Sequence, residues 1–204
     1  MSTRKSIGIF AGTFDPIHEG HIRYAQEAVQ RTKLDSVVIV AEKNPYRKKP
    51  FASWDHRQAM IERATEDIPE ADHDYEFSNQ LAHQYTMQDM LTTARRHYGE
   101  DHEFWFLVGS DIFDHMKRWQ DITKQYDYSG FVVALRDDHT KEWLDEKIRE
   151  LGDIGFAPDI HLIENHHPHI SSKKIRDQIA ARQIPADLPD AVRRYISSHQ
   201  LYVT

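Results

Sequence analysis

No cysteine occurs in the 204 residues, which removes disulfide scaffolds, thiolate metal sites, iron–sulfur clusters and cysteine nucleophiles together. No apolar run approaches the ~20 residues that cross a bilayer, so no membrane partner is expected. The opening Met1-Ser2-Thr3-Arg4-Lys5 leads into a strand-like segment without the apolar stretch of a secretory signal, and a cytoplasmic address is expected. Basic residues are outnumbered, 26 Lys and Arg against 33 Asp and Glu, for a formal net charge of −7. A duplex-binding face needs clustered cations, so nucleic acid is not an expected partner. No internal repeat, low-complexity tract or linker interrupts the chain.

What is present suits one folded domain over residues 1–204. Hydrophobic residues make up 39% and aromatics 11%, enough for a real core. Residues 6–11, 36–41, 104–108, 131–135 and 160–163 are short, continuous apolar runs that read as strands, and 74–77 as a further short strand. Helical spacing recurs in Ile22, Ala25 and Val29, in Met60, Ile61 and Ala64 after the N-cap candidate Ser53, over about 86–97, and over 141–151. Ser171-Ser172 precede Ile175 and Ile179 on one helical face, opening a helical C-terminal element over about 171–204. Strands alternating with helices, each strand apolar throughout, predict a doubly wound, parallel α/β sheet with helices on both faces.

In such sheets ligands bind beyond the carboxyl ends of the strands, and four segments lie there. Gly12-Thr13-Phe14-Asp15-Pro16-Ile17-His18-Glu19-Gly20-His21 follows the first strand and opens a helix whose N–H groups favour an anion. His18 and His21, three apart, can face one spot and form a phosphate cradle. They also read as two surface histidines or as an i,i+3 metal pair. No third metal ligand has an obvious place, and the positive helix end opposes a cation. Neither Gly-Lys-Ser/Thr nor Gly-x-Gly-x-x-Gly follows, so the chain lacks the fingerprints of a P-loop and of a dinucleotide-bound dehydrogenase.

The basic run Arg47-Lys48-Lys49 reads as a solvated charge run or a cationic flap over a polyphosphate. Gly109-Ser110-Asp111 places a carboxylate where ribose hydroxyls are commonly bound, or where a helix is capped, with Trp119 eight residues on. Ile170-Ser171-Ser172-Lys173-Lys174-Ile175-Arg176 offers hydroxyls, N–H groups and cations at a helix start, as a second anion site or as ordinary capping. His166, His167 and His169 form a loop cluster that reads as an adventitious rather than a built metal site.

These residues carry a resemblance. The stretch ending His18-Glu19-Gly20-His21 resembles the H-x-G-H signature of the nucleotidyltransferase superfamily, and Ile170-Ser171-Ser172-x-x-Ile175-Arg176 resembles its second signature, I-S-S-T-x-I-R. Within the superfamily the chain is most similar to nicotinate-nucleotide adenylyltransferase. Gln84-Tyr85-Thr86-Met87-Gln88-Asp89-Met90-Leu91 resembles that family's S-Y-T-x-D-T-L, Gly109-Ser110-Asp111 with Trp119 its G-x-D…W, and 188–202 its C-terminal pattern. The likeness covers essentially the whole chain.

The resemblance implies a Rossmann-like nucleotidyltransferase fold and transfer of the adenylyl group of ATP to nicotinate mononucleotide, with nicotinamide mononucleotide as a second candidate. ATP and a pyridine mononucleotide are the implied small-molecule partners, with Mg²⁺ accompanying ATP and no protein metal cage. It assigns catalysis to His18, His21 and Arg176. ATP contacts fall to Gly12, Thr13, Phe14, His18, Gly20, His21, Ser171, Ser172 and Arg176. Mononucleotide contacts fall to Tyr85, Thr86, Asp111 and Trp119, with Arg47 and Lys48 on the flap. Four positions depart from the pattern: Lys173 stands for Thr, Gln84 for Ser, Ala11 for Gly, and Asn44-Pro45-Tyr46-Arg47-Lys48 for P-P-H-K. Phosphopantetheine adenylyltransferase, which shares the first motif, and a non-catalytic nucleotide-binding module on the same fold are the competing readings.

Overall fold

Apolar runs become the central strands here because both faces of each are covered. The computed structural model describes residues 5–45, 49–81, 86–116, 130–135, 139–163 and 169–203. The strands are β1 (Ser6–Gly12), β2 (Ser36–Ala41), β3 (Ala71–Asp72), β4 (Glu103–Gly109), β5 (Gly130–Ala134) and β6 (Ile160–Ile163). They form one sheet in the order β3-β2-β1-β4-β5-β6, and every pairing is parallel. The order reverses between β1 and β4, which opens the ligand crevice beyond Gly12 and Gly109.

Eight helices are described: α1 (Glu19–Arg31), α2 (Trp54–Thr65), α3 (Tyr75–Gln80), α4 (Met87–Tyr98), α5 (Phe113–Met116), α6 (Lys141–Gly152), α7 (Ser172–Ala180) and α8 (Asp190–Ser198). The period-two alternation of β2 divides them. Val37, Ile39 and Ala41 enter one core with Ile22, Ala25 and Ala28 of α1, Met60 and Ile61 of α2, Ile175 of α7, and Val192 and Ile196 of α8. Val38 and Val40 enter the other, with Phe77 of α3, Met90 and Leu91 of α4, Phe113 of α5 and Leu144 of α6. The doubly wound, Rossmann-like α/β architecture expected from the sequence is thus the architecture found. Among the described residues no helix is long and apolar enough to cross a membrane.

One element differs from expectation. Residues 74–77 are not a strand: Asp74 is the N-cap of α3, its Oδ1 accepting the Phe77 N–H at 2.8 Å. Its Oδ2 lies 2.7 Å from His97 Nε2 and accepts the Tyr98 hydroxyl at 2.9 Å, tying α3 to the end of α4. Burial pushes the Asp74 carboxyl up, but the Phe77 N–H and the bonds from Tyr98 and His97 outweigh it and hold it below the usual carboxylate range. Burial and the bond to Asp74 push the Tyr98 phenol far upward, so it remains a donor. A cap satisfied from three sides outweighs the strand propensity of Tyr75 and Phe77.

Candidate active site

Beyond Gly12 the chain cannot run on as a strand, because Phe14 takes a left-handed conformation (φ 47°) while 3% exposed. A non-glycine residue held there costs of order 1–2 kcal/mol and marks a loop over-determined by its surroundings. The Phe14 ring folds back over Gly12, where a Cβ would stand 3.0 Å from it. The same ring meets Phe10 at 5.1 Å and His21 at 5.0 Å, both edge-on, and so backs the second histidine.

His18 is the N-cap of α1 and is 6% exposed. Its ring lies against that of His21, with centroids 3.6 Å apart and planes 17° from parallel. The His18 main-chain N–H donates to His21 Nδ1 at 3.2 Å, which places the His21 ring proton on Nε2. Both imidazoles therefore stand together at the positive end of a 13-residue helix, where an anion is favoured. Gly20 makes room for them: a Cβ there would lie 3.2 Å from His18 Nδ1. Gly20→Ala is expected to raise helix stability by about 0.5–1 kcal/mol yet lower kcat about tenfold by displacing His18. Calorimetry and steady-state kinetics on one preparation check both signs.

The loop is braced from behind. Arg57, 1% exposed on α2, donates through Nη1 to the carbonyls of Thr13 and Glu42 at 2.7 Å each, and through Nη2 to Lys43 at 3.5 Å. The second anion-site segment reaches it as well. Ser172 Oγ donates to the Pro16 carbonyl at 2.9 Å and Arg176 Nη1 to the Asp15 carbonyl at 2.6 Å. Ser171 caps α7, accepting the Lys174 N–H at 3.3 Å. Lys173, in the family's Thr position, turns outward to Asp177 (2.7 Å) with its side chain 78% exposed.

Across the switch point, Gly109 leads into a single 3₁₀ turn, Ser110–Ile112. Ser110 is fully buried with Oγ 2.8 Å from His139 Nδ1, and that ring stacks on Trp143 at 3.6 Å. Asp111 is exposed within the turn. Thr86 caps α4 in a reciprocal box with Asp89, at 3.1 and 3.2 Å.

The model of the Cytidylyltransferase-like family matches residues 9–178. A relative from Clavibacter michiganensis, named "Probable nicotinate-nucleotide adenylyltransferase", is 31% identical over 98% of this chain and 94% of its own length. The chain belongs to the nicotinate-nucleotide adenylyltransferase family. A relative of the same name from Solibacter usitatus is 33% identical over 96% of this chain and 98% of its own. The fold also matches the solved Plasmodium falciparum nicotinic acid mononucleotide adenylyltransferase complexed with NaAD, with a TM-score of 0.77 at 19% identity. That match covers 98% of each chain.

In this member of the adenylyltransferase family, the structure brings His18, His21, Gly12, Phe14, Gly20, Ser172 and Arg176 to one loop. Asp111 stands on the other side of the strand reversal, and Thr86 at the head of α4. Arg47, Lys48, Tyr85 and Trp119 lie outside the described residues, as do His166 and His167. Sequence reasoning assigned no role to Asp15, Arg57, His139 or Tyr202. For Arg57 a signal existed: it shares the helical stripe of Met60, Ile61 and Ala64, where a cation is buried with partners or not at all.

Proposed function

We propose that the chain transfers the adenylyl group of ATP to nicotinate mononucleotide, releasing pyrophosphate and forming the dinucleotide in NAD biosynthesis. An oxygen of the mononucleotide phosphate attacks the α-phosphorus of ATP, and the bond from that phosphorus to the oxygen bridging the β-phosphate breaks. The nucleophile arrives ionised, so no general base is required. The work left to the protein is in-line positioning and neutralisation of charge on the transferring group and the leaving pyrophosphate.

One observation carries this reading: the His18–His21 pair stacked at the N-terminus of α1, at the reversal of the sheet. Its family membership supports it. In this reading His18 and His21 hold the ATP phosphates through ring N–H groups, and Arg176 serves the β/γ end. Gly12, Thr13, Phe14 and Gly20 supply close backbone, while Ser171 and Ser172 fix the start of α7. Asp111 and Thr86 face the mononucleotide, with Tyr85, Trp119, Arg47 and Lys48 assigned to it by resemblance.

Magnesium enters as part of the substrate Mg·ATP. Asp15 accepts three hydrogen bonds and Glu19 lies 3.9 Å from Arg23, so the phosphate oxygens, rather than a carboxylate of the loop, are its proposed ligands. One domain acting in the cytoplasm completes the reading.

Pyrophosphate release with ATP and Mg²⁺ tests it, offering nicotinate mononucleotide, nicotinamide mononucleotide and phosphopantetheine in parallel. The expected result is release with a pyridine mononucleotide, strongest with the nicotinate form. Release with phosphopantetheine alone would move the chain to that enzyme's reaction. Silence with all three, despite ATP binding, would leave a non-catalytic nucleotide-binding module.

A further inference from the structure

Asp15, 4% exposed in the loop that carries His18, is where three distant parts of the chain end. Its Oδ2 accepts the Phe51 N–H at 2.7 Å. Its Oδ1 accepts the Ala52 N–H at 3.1 Å and the hydroxyl of Tyr202, 187 residues away, at 2.7 Å. Its carbonyl accepts Arg176 Nη1 at 2.6 Å. The segment leading into α2, helix α7 and the chain beyond α8 thus share one anchor.

Two features show that the anchor does more than fill space. Phe51 is 75% exposed, so its main-chain bond to Asp15, not burial, holds it in place. That ring lies under the Arg176 guanidinium at 4.4 Å. Both contacts seen for Arg176, the Asp15 carbonyl and the Phe51 face, therefore depend on where Asp15 sits. Tyr202 is itself held in a left-handed conformation (φ 63°), which bulky residues avoid. Burial, with the charge of Asp15 and the bond to it, pushes its phenol far upward, so it stays a donor.

We propose that Tyr202 is a positioning residue for adenylyl transfer: its hydroxyl fixes the Asp15 carboxylate, and through it the placement of the Phe51 segment and of Arg176 around the ATP phosphates. The inference rests on the reading of Arg176 as an ATP contact. Without the hydroxyl, Oδ1 loses the shorter of its two donors, and the carboxylate can turn away from the Phe51 and Ala52 N–H groups.

Tyr202→Phe removes one oxygen and keeps the ring. In the nucleotide-free protein, amide hydrogen exchange at Phe51 and Ala52 is expected to quicken about tenfold, the lower end of what one hydrogen bond to a charged group is worth. Melting should stay within a few degrees of the parent. In turnover, the KM for Mg·ATP is expected to rise about five- to tenfold, with the KM for the mononucleotide changed less than twofold. That rise should vanish in an Arg176→Ala background, since the effect is routed through Arg176. Unchanged exchange at the two amides would overturn the proposal. So would faster exchange with unaltered kinetics, or an equal penalty in the Arg176→Ala background. If the parent itself does not turn over, the proposed function fails separately, and exchange together with calorimetric affinity for Mg·ATP still judges the role of Tyr202.

Discussion

His18→Ala is expected to lower turnover about 10²–10³-fold, the usual cost of removing one preorganised donor from a developing charge, while stability falls by only about 0.5–2 kcal/mol, the cost of a lost helix cap. The separation follows from where the ring sits. It is an N-cap residue whose main-chain N–H donates to His21 Nδ1, and alanine retains that N–H while losing the side-chain half of the capping box. The ring's stacking partner His21 keeps its own backing from Phe10 and Phe14. On the proposed function, what is lost is one imidazole beside the phosphates, together with the orientation it lends its neighbour. Single-turnover kinetics at saturating ATP, with a thermal melt of the same sample, measure the two effects. A variant within tenfold of the parent rate would remove His18 from the chemistry.

Arg57→Met is expected to do the reverse, destabilising the fold strongly through a residue that touches no substrate. The guanidinium is 1% exposed and donates to three carbonyls that close the loop around Thr13 and residues 42–43. Methionine fills much of the volume but leaves buried acceptors without their charged donor, at about 3 kcal/mol. For a chain of this size that corresponds to a fall in Tm of roughly 6–12 °C, which differential scanning calorimetry measures directly. The contrast is Lys173–Asp177, an ion pair at 2.7 Å whose side chains are 78% and 62% exposed. Solvent competes for both partners there, so its loss should move stability by well under 1 kcal/mol.

Parts of this architecture were legible in the sequence and parts were not, for physical reasons. The strand runs declared themselves because parallel strands covered on both faces must be apolar throughout, as in Val37-Val38-Ile39-Val40. The histidine pair was legible because its spacing matches the helix it opens. Residues 74–77 read as a strand in the sequence because α3 is only six residues long, too short for periodicity to show, and its stability comes from Asp74 bonds to His97 and Tyr98. Arg57 left a local mark, a cation in an apolar stripe, that went unused. Tyr202 left none: its partner Asp15 is 187 residues away, and nothing in either neighbourhood announces the other. Capping, periodicity and burial leave traces within a few residues, whereas a tertiary hydrogen bond leaves none.

Tyr24 ties the two halves of the crevice together. From α1, one turn after His21, its hydroxyl lies 3.0 Å from the Val108 carbonyl of β4 and 2.7 Å from the Val132 carbonyl of β5. A helix belonging to one side of the strand reversal is thereby pinned to the strands of the other. The fold itself thus braces the histidine pair against the strand that ends in the Gly109–Asp111 turn. On the proposed function, two substrates brought to that braced crevice would meet a separation already set, with part of the entropy of aligning them spent when the chain folds, once, not at every turnover.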